Sequence, residues 1–245
     1  MKGVILQINP QAQIVDITHS IPPQDLFSGA FQIDKVYQYF PDGSIHIIVV
    51  DPGVGSQRKP IVCQTAKATF VCPDNGICTK IFEREKLIKI IEITNFNFCL
   101  PQVSRTFHGR DIFAPVAAHI SCGVSLTDLG SEISNITMLP IPEPEITENG
   151  IIGEITWIDH FGNAITNVSI ETLKSTSFDT KFTIKIAGME IDHLSNFYNE
   201  SDVGSTLALV NNSGNIEIAV NQGSASSILN LKVGDKILFL KTRPS

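Results

Sequence analysis

Three side chains in this chain have the types and surroundings to activate a water molecule. Asp51 ends an apolar run, Ile45-His46-Ile47-Ile48-Val49-Val50, that reads as a buried strand. Pro52, Gly53 and Gly55 then stop the strand and impose a tight loop that ends at Arg58. A carboxylate at the end of a buried strand, followed by a glycine loop, stands where open α/β sheets bind their ligands. An arginine folded back across such a loop keeps the carboxylate ionised. The same pairing serves equally as a structural salt bridge that closes the loop. His108, in Thr106-Phe107-His108-Gly109-Arg110-Asp111, precedes a helix start. Imidazole titrates near neutrality, which suits a base. The backbone N–H groups from Gly109 to Asp111 would face an anion or a polarised water. A histidine that only caps the helix is the alternative.

A second set of polar residues lies later in the chain. Asp159-His160-Phe161-Gly162-Asn163 places hydrogen-bonding groups around a turn glycine, with an aromatic ring between them. A base or sugar ring can stack on Phe161 while Asp159 and Asn163 bind polar edges; an Asx-type turn between two strands explains the same residues. Asn211-Asn212-Ser213-Gly214 and Asn221-Gln222-Gly223 are uncharged, amide-rich loops that suit a nucleoside or an amino acid, or simple hairpin turns. Of the other histidines, His46 and His119 read as structural, His19 is ambiguous and His193 has no supporting context.

The elements that must position these residues change character along the chain. Strands are expected at Val4-Ile5-Leu6, Ile14 to Ile17, Ile45 to Val50, Ile61 to Cys63, Thr69 to Cys72 and Lys89 to Ile93. Helical spacing runs through Leu26, Ala30, Ile33, Tyr37 and Phe40, and a short helix is expected near Thr79 to Phe82. Arg110 to Cys122 predicts a further helix with Asp111 as N-cap, Pro115 early enough to be tolerated, and Gly123 as its end. This alternation predicts an α/β N-terminal domain over residues 1–139 with a central, mostly parallel sheet. Residues 140–150 form a proline- and glutamate-rich linker. Residues 151–245 carry short strand-like runs at 151–155, 182–186, 206–210, 216–220 and 236–240, the pattern of a smaller all-β, barrel-like C-terminal domain.

Composition narrows the function. With 245 residues, 42% hydrophobic and 18% charged, the chain predicts a folded, soluble protein. A net charge of −7 without a basic cluster argues against nucleic acid and anionic membranes. No apolar run is long enough for a membrane helix, and the first residues do not make a signal peptide, so a cytoplasmic protein is expected. The 5 cysteines lack a zinc-knuckle spacing and read as free thiols, with Cys63, Cys72 and Cys99 buried. There is no Walker loop and no G-x-G-x-x-G. No metal site and no cofactor are expected.

Several motifs occur in a definite order: Met1-Lys2-Gly3-Val4-Ile5, Asp16-Ile17-Thr18-His19 with Pro22-Pro23, the loop from Asp51 to Arg58, Pro73-Asp74-Asn75-Gly76, Phe107-His108-Gly109-Arg110-Asp111 and Asp159-His160-Phe161-Gly162-Asn163. Their order resembles the S-adenosylmethionine hydroxide adenosyltransferase family, adenosine-forming hydrolases related to fluorinase and chlorinase enzymes. The resemblance covers almost the whole chain. It implies hydrolysis of S-adenosyl-L-methionine to adenosine and L-methionine, with activated water or hydroxide attacking C5′ and S-adenosylmethionine as substrate. It implies Asp51, Arg58 and His108 as catalytic residues. It also implies a homotrimer with the site at the subunit interface.

Halogenating relatives carry tyrosine in place of Asp51, and the fluorinating ones a serine near Gly109, so the hydrolase branch is expected. Phe161 and Asn163 would hold adenosine or methionine parts, Asp159 the methionine amino group, Ser213 the methionine carboxylate, and Asn221 and Gly223 the adenine through backbone contacts. Family members carry a strand and a ribose-holding aspartate before the Met-Lys-Gly-Val segment. Their lack here predicts weaker binding, and makes a non-catalytic adenosine- or S-adenosylmethionine-binding protein the alternative. A halide-dependent adenosyl halogenase is the second alternative.

Overall fold

The computed structural model describes residues 1–176 and 182–241. The chain divides into two compact units, Met1–Leu139 and Pro140–Ser245.

The first unit opens with helix α1 (Lys2–Ile8), where the sequence predicts a strand. Three consecutive apolar residues carry no period of their own. Ile5 is buried with Ala114 and Ala118, and Val4 and Ile8 pack on the same cluster, at the i, i+4 spacing of one helix face. Residues 14–17, also expected as a strand, pair with no strand among the described residues. Ile14 joins the α1 cluster instead. Helix α2 (Leu26–Val36) is capped by Asp25, whose Oδ1 accepts the Ser28 N–H at 2.9 Å, and it continues as a 3₁₀ turn over Tyr37–Tyr39.

Strands β1 (Ser44–Ile47), β2 (Pro60–Gln64), β3 (Ala68–Pro73) and β4 (Lys89–Ile93) follow, with helix α3 (Thr79–Arg84) between the last two. A π-helical turn (Gly109–Phe113) leads into α4 (Ala114–Ser121), and β5 (Gly130–Glu132) completes the sheet. The order is β1-β3-β2-β4-β5. Only β1 and β3 are parallel; the other three pairs are antiparallel. The expected mostly parallel sheet is therefore corrected to a mixed one. Thr65 explains the difference. Its Oγ1 accepts from Lys67 N and Ala68 N and closes a tight β2–β3 turn, which only antiparallel strands permit. Alternation along β2 and β3 then serves both faces. Cys63, Phe70 and Cys72 join Ile33, Tyr37 and Ile81, while Val62 and Val71 join Phe113 and Val116.

The helix expected over Arg110 to Cys122 begins with the wider π turn. Pro115 has no N–H to give, so the Asp111 carbonyl lacks its helical donor and accepts from Leu100 N at 2.9 Å. Asp111 is not the N-cap. Its buried carboxylate reaches back to accept Ser104 N at 2.8 Å and Arg110 Nε at 2.5 Å. These partners, Arg110 first, hold its pKa below the usual carboxylate value. Gly123, at φ +92, ends the helix as expected.

In the second unit every pair of named strands is antiparallel. Its elements are β6 (Glu145–Ile146), β7 (Gly150–Ile158), β8 (Ala164–Ser169), α5 (Ile170–Ser175), β9 (Phe182–Ile186), β10 (Met189–Ile191), β11 (Thr206–Val210), β12 (Asn215–Val220), α6 (Ala225–Ile228) and β13 (Lys236–Lys241). They run β10-β9-β13-β7-β8-β12-β11, with β6 added on β7. The outermost strands return toward each other, where Ser195 N donates to Ala208 O at 2.8 Å. The result is a nearly closed barrel around Ile151, Ile155, Ile184, Ile218 and Phe239. All five expected strand runs are present; β8 and β10 are additional, and β6 lies inside the stretch read as linker. No helix among the described residues is long and apolar enough to cross a membrane.

Candidate active site

β1 ends at Ile47, short of the expected Val50, and Asp51 follows after Ile48, Val49 and Val50, where the backbone is held from the side. Asn75 Nδ2, from the Pro73-Asp74-Asn75-Gly76 loop, donates to the Val50 carbonyl at 2.9 Å. The glycine loop then folds back as the sequence predicts. Arg58 Nε donates to both Asp51 oxygens at 3.0 Å, and Nη2 to Oδ2 at 2.5 Å. Both side chains are nearly sealed, 6% exposed for Asp51 and 9% for Arg58. The Phe113 ring lies 5.5 Å below the guanidinium. Gly55 is required twice over: its φ is +79, and a Cβ there would sit 2.9 Å from the Arg105 carbonyl. This close approach brings the Asp51 loop against the loop that carries His108.

The third member joins through the same guanidinium. Arg58 Nη2 lies 2.7 Å from His108 Nδ1. A guanidinium only donates, so Nδ1 accepts, and the imidazole is neutral with its proton on Nε2. Burial first, and the Arg58 charge second, lower the His108 pKa; Asp51, Asp111 and the Ser104 carbonyl oppose them. Gly109 leaves room here: a Cβ on it would stand 3.3 Å from Met1 Sδ and 3.5 Å from Val49 Cγ1. Asp51 also borders a cleft of about 520 Å³ with Thr18, His19, Gln32 and Pro52 on its walls, a volume suited to a small molecule. Asp16 and His19 pair at 3.1 Å on the exposed side. His46 is buried against Phe70, with ring centroids 5.3 Å apart, and burial lowers its pKa; its place is in the core. His119 packs edge-on to Phe98.

In the second unit, Asp159 to Asn163 form the turn between β7 and β8. Asp159 Oδ1 accepts from Phe161 N and Asn163 N, both at 2.9 Å, and Oδ2 accepts from Asn163 Nδ2 at 3.2 Å. This is an Asx turn, and it leaves Phe161 75% exposed. Gly162 seats the turn on α6, where Ser226 N donates to its carbonyl at 2.8 Å. Asn221 lies at the same end of the barrel, its Nδ2 donating to Ser201 O at 2.7 Å. Gly223 packs beside it under Ile228. Ser213 is not brought to them. It sits in the β11–β12 turn, at the far end of a strand of 6 residues. That strand rises roughly 17 Å. Tyr198 and Glu217 were not foreseen. Tyr198 Oη donates to Glu217 Oε1 at 2.8 Å and lies 3.5 Å from Asn163 Nδ2. The clue to Glu217 was a charge inside the apolar run Ile216-Glu217-Ile218; Tyr198 gave none. Among the described residues no group of three or more His, Cys, Asp or Glu side chains is placed to hold a metal ion.

The SAM hydroxide adenosyltransferase N-terminal domain matches residues 1–130, and the C-terminal domain of the same name matches residues 153–238. An (R)-S-adenosyl-L-methionine hydrolase of Methanocaldococcus jannaschii is 35% identical, over 97% of this chain and 88% of that protein. One from Salinispora tropica is 32% identical over 96% and 89%. The crystal structure of an uncharacterized conserved protein from Thermotoga maritima superposes with a TM-score of 0.88 at 37% identity, covering 98% of this chain and 93% of that one. Both domain matches and relatives of nearly equal length agree, and this chain belongs to the SAM hydroxide adenosyltransferase family.

Proposed function

We propose that this protein hydrolyses S-adenosyl-L-methionine to adenosine and L-methionine. The observation that carries the reading is the Asp51–Arg58–His108 array, whose Asp51 borders a cleft, in a chain whose near-full-length relatives are named as hydrolases of that substrate. A sulfonium leaves without acid assistance. What the reaction needs is a polarised water aligned with C5′, opposite sulfur.

In this reading the water donates to the Asp51 carboxylate and accepts from the His108 Nε2–H. Its remaining lone pair is left for C5′. As the C5′–O bond forms and C5′–S breaks, the bonding pair leaves with methionine sulfur. The water's proton passes to Asp51 and then to solvent. Arg58 holds the Asp51 carboxylate in place and fixes the imidazole tautomer. The reaction asks for no metal or cofactor. Phe161, Asn163 and Asp159 contact the adenosine and methionine parts, with Asn221 and Gly223 beside the adenine and Gly109 giving space near the reacting carbon. Ser213 serves the methionine carboxylate only if a substrate reaches the far end of β12. The chain works as a cytoplasmic homotrimer whose site lies at the subunit interface. An aspartate at position 51 favours water over halide as nucleophile.

The test is incubation of the full chain with S-adenosylmethionine and chromatography of the products. Equimolar adenosine and methionine, lost in His108→Ala and Asp51→Asn, are expected. Bound ligand without products would overturn hydrolysis in favour of a binding protein. Halogenated adenosine in the presence of halide would overturn the choice of nucleophile.

A further inference from the structure

The second unit carries a chain of polar contacts that substrate binding alone does not require. Glu217 is 4% exposed in the middle of β12, between Ile216 and Ile218, which are fully buried. Holding a carboxylate in an apolar barrel wall costs desolvation and calls for a partner. Tyr198 supplies its hydroxyl proton at 2.8 Å. With that proton committed, Tyr198 Oη presents only lone pairs to Asn163. Burial and the Glu217 bond both hold the phenol protonated. Asn163 Nδ2 therefore faces two acceptors, Asp159 Oδ2 at 3.2 Å and, at the long limit, Tyr198 Oη at 3.5 Å. Two acceptors on one end of an amide decide which end is nitrogen. Its Oδ1 is turned away from them, and no described residue donates to it. The bare ring of Phe161 stands two residues earlier.

An aromatic face beside an acceptor without a donor of its own matches a purine that stacks and offers an N–H at position 6. A 6-oxo purine would set oxygen against Oδ1. Relieving that clash by an amide flip would put Oδ1 against the Asp159 carboxylate and the Tyr198 lone pairs. We infer that Tyr198 and Glu217 are positioning residues that lock the Asn163 amide and make this protein select 6-amino over 6-oxo purine nucleosides. The inference rests on Asn163 as a substrate-binding residue.

Calorimetric titration of the full chain with adenosine and with inosine tests it. The unmodified chain is expected to bind adenosine about tenfold or more tighter than inosine. Tyr198→Phe and Glu217→Gln are each expected to narrow that ratio about threefold or more, because the hydroxyl is lost or its proton is no longer committed. Asn163→Ala and Asn163→Ala/Tyr198→Phe are expected to show the same ratio, since Tyr198 acts only through Asn163. Tyr198→Phe keeps the ring, so it stays informative if Glu217→Gln does not fold. An unchanged ratio in Tyr198→Phe, additive losses in the double variant, or no preference in the unmodified chain would each overturn the inference. Hydrolysis of S-adenosylmethionine without the purine preference leaves the proposed reaction standing and removes this inference. The purine preference without hydrolysis does the reverse.

Discussion

Arg58 is the side chain on which the site turns, because one guanidinium satisfies both Asp51 oxygens and the His108 ring. Its loss leaves a nearly sealed carboxylate without its counter-charge, at a cost of about 3 kcal/mol or more. Arg58→Ala is therefore expected to lower the melting temperature and to abolish turnover, whereas Asp51→Asn abolishes turnover with a smaller loss of stability. His108 reports on the same contact. Its pKa lies below its ordinary value of 6.5, for burial first and Arg58 second. A histidine whose folded pKa is depressed contributes stability that is present above the unfolded value and lost as pH falls through the folded one. Nuclear magnetic resonance titration is expected to place His108 below 6.5, and to move it upward in Arg58→Ala, where Asp51 and Asp111 then act on the ring unopposed by the guanidinium. A downward or absent shift would remove Arg58 as a cause. His46, lowered by burial alone, is the internal control that does not move. At this scale the residue types were legible: Asp51, Arg58 and His108 stand out in the sequence by chemistry and by loop context. The contact between Arg58 and His108 was not, because nothing local ties residues 50 positions apart.

The elements explain why those side chains meet and where sequence periodicity misled. Strands β2, β3 and β4 were legible because each is an apolar run bounded by turn residues. The run at Val4 to Leu6 was too short to reveal its period and became α1. The hairpin geometry at Thr65 was hidden in a polar side chain's bonds to backbone, so alternating elements read as a parallel sheet. Glu217 lies on the face of β12 opposite the barrel core, where alternation sends it, yet it is buried there, and its partner Tyr198 lies on a segment with no pattern of its own. Turn glycines, by contrast, carry their reason in the structure. A Cβ on Gly162 would lie 2.0 Å from Ser224 Oγ, on a backbone at φ +84. Gly162→Ala is expected to cost about 1–3 kcal/mol. It should also lift the Asp159–Asn163 turn from α6, raising KM for S-adenosylmethionine with little change in kcat. A kcat loss with unchanged KM would remove the turn from substrate binding. Asp111→Ala acts at the other element that matters. It removes the acceptor of Ser104 N and the partner of Arg110, both ahead of or within the turn that carries His108. The expected result is the converse, a lower kcat with KM nearly preserved.

For the whole molecule, the proposed assembly divides the labour between chains: the Asp51–Arg58–His108 group would come from one subunit and the Asp159–Asn163 turn from its neighbour. That division is testable without a structure of the assembly. Sedimentation is expected to give about three times the 26.8 kDa chain mass. His108→Ala leaves the second unit intact, and Asp159→Ala leaves the first unit intact, so each variant alone is expected to be inactive for a different reason. Co-expressed in equal amounts, the two chains assort at random. Some neighbouring pairs then combine an intact His108 from one chain with an intact Asp159 from the other, and about a quarter of the sites recover. Recovered activity near that fraction establishes a shared site. A mixed assembly that stays inactive places both groups of one site on the same chain, because every chain present then carries a lesion. Mixing the separately purified variants under conditions where subunits do not exchange is the control, and it is expected to show no recovery.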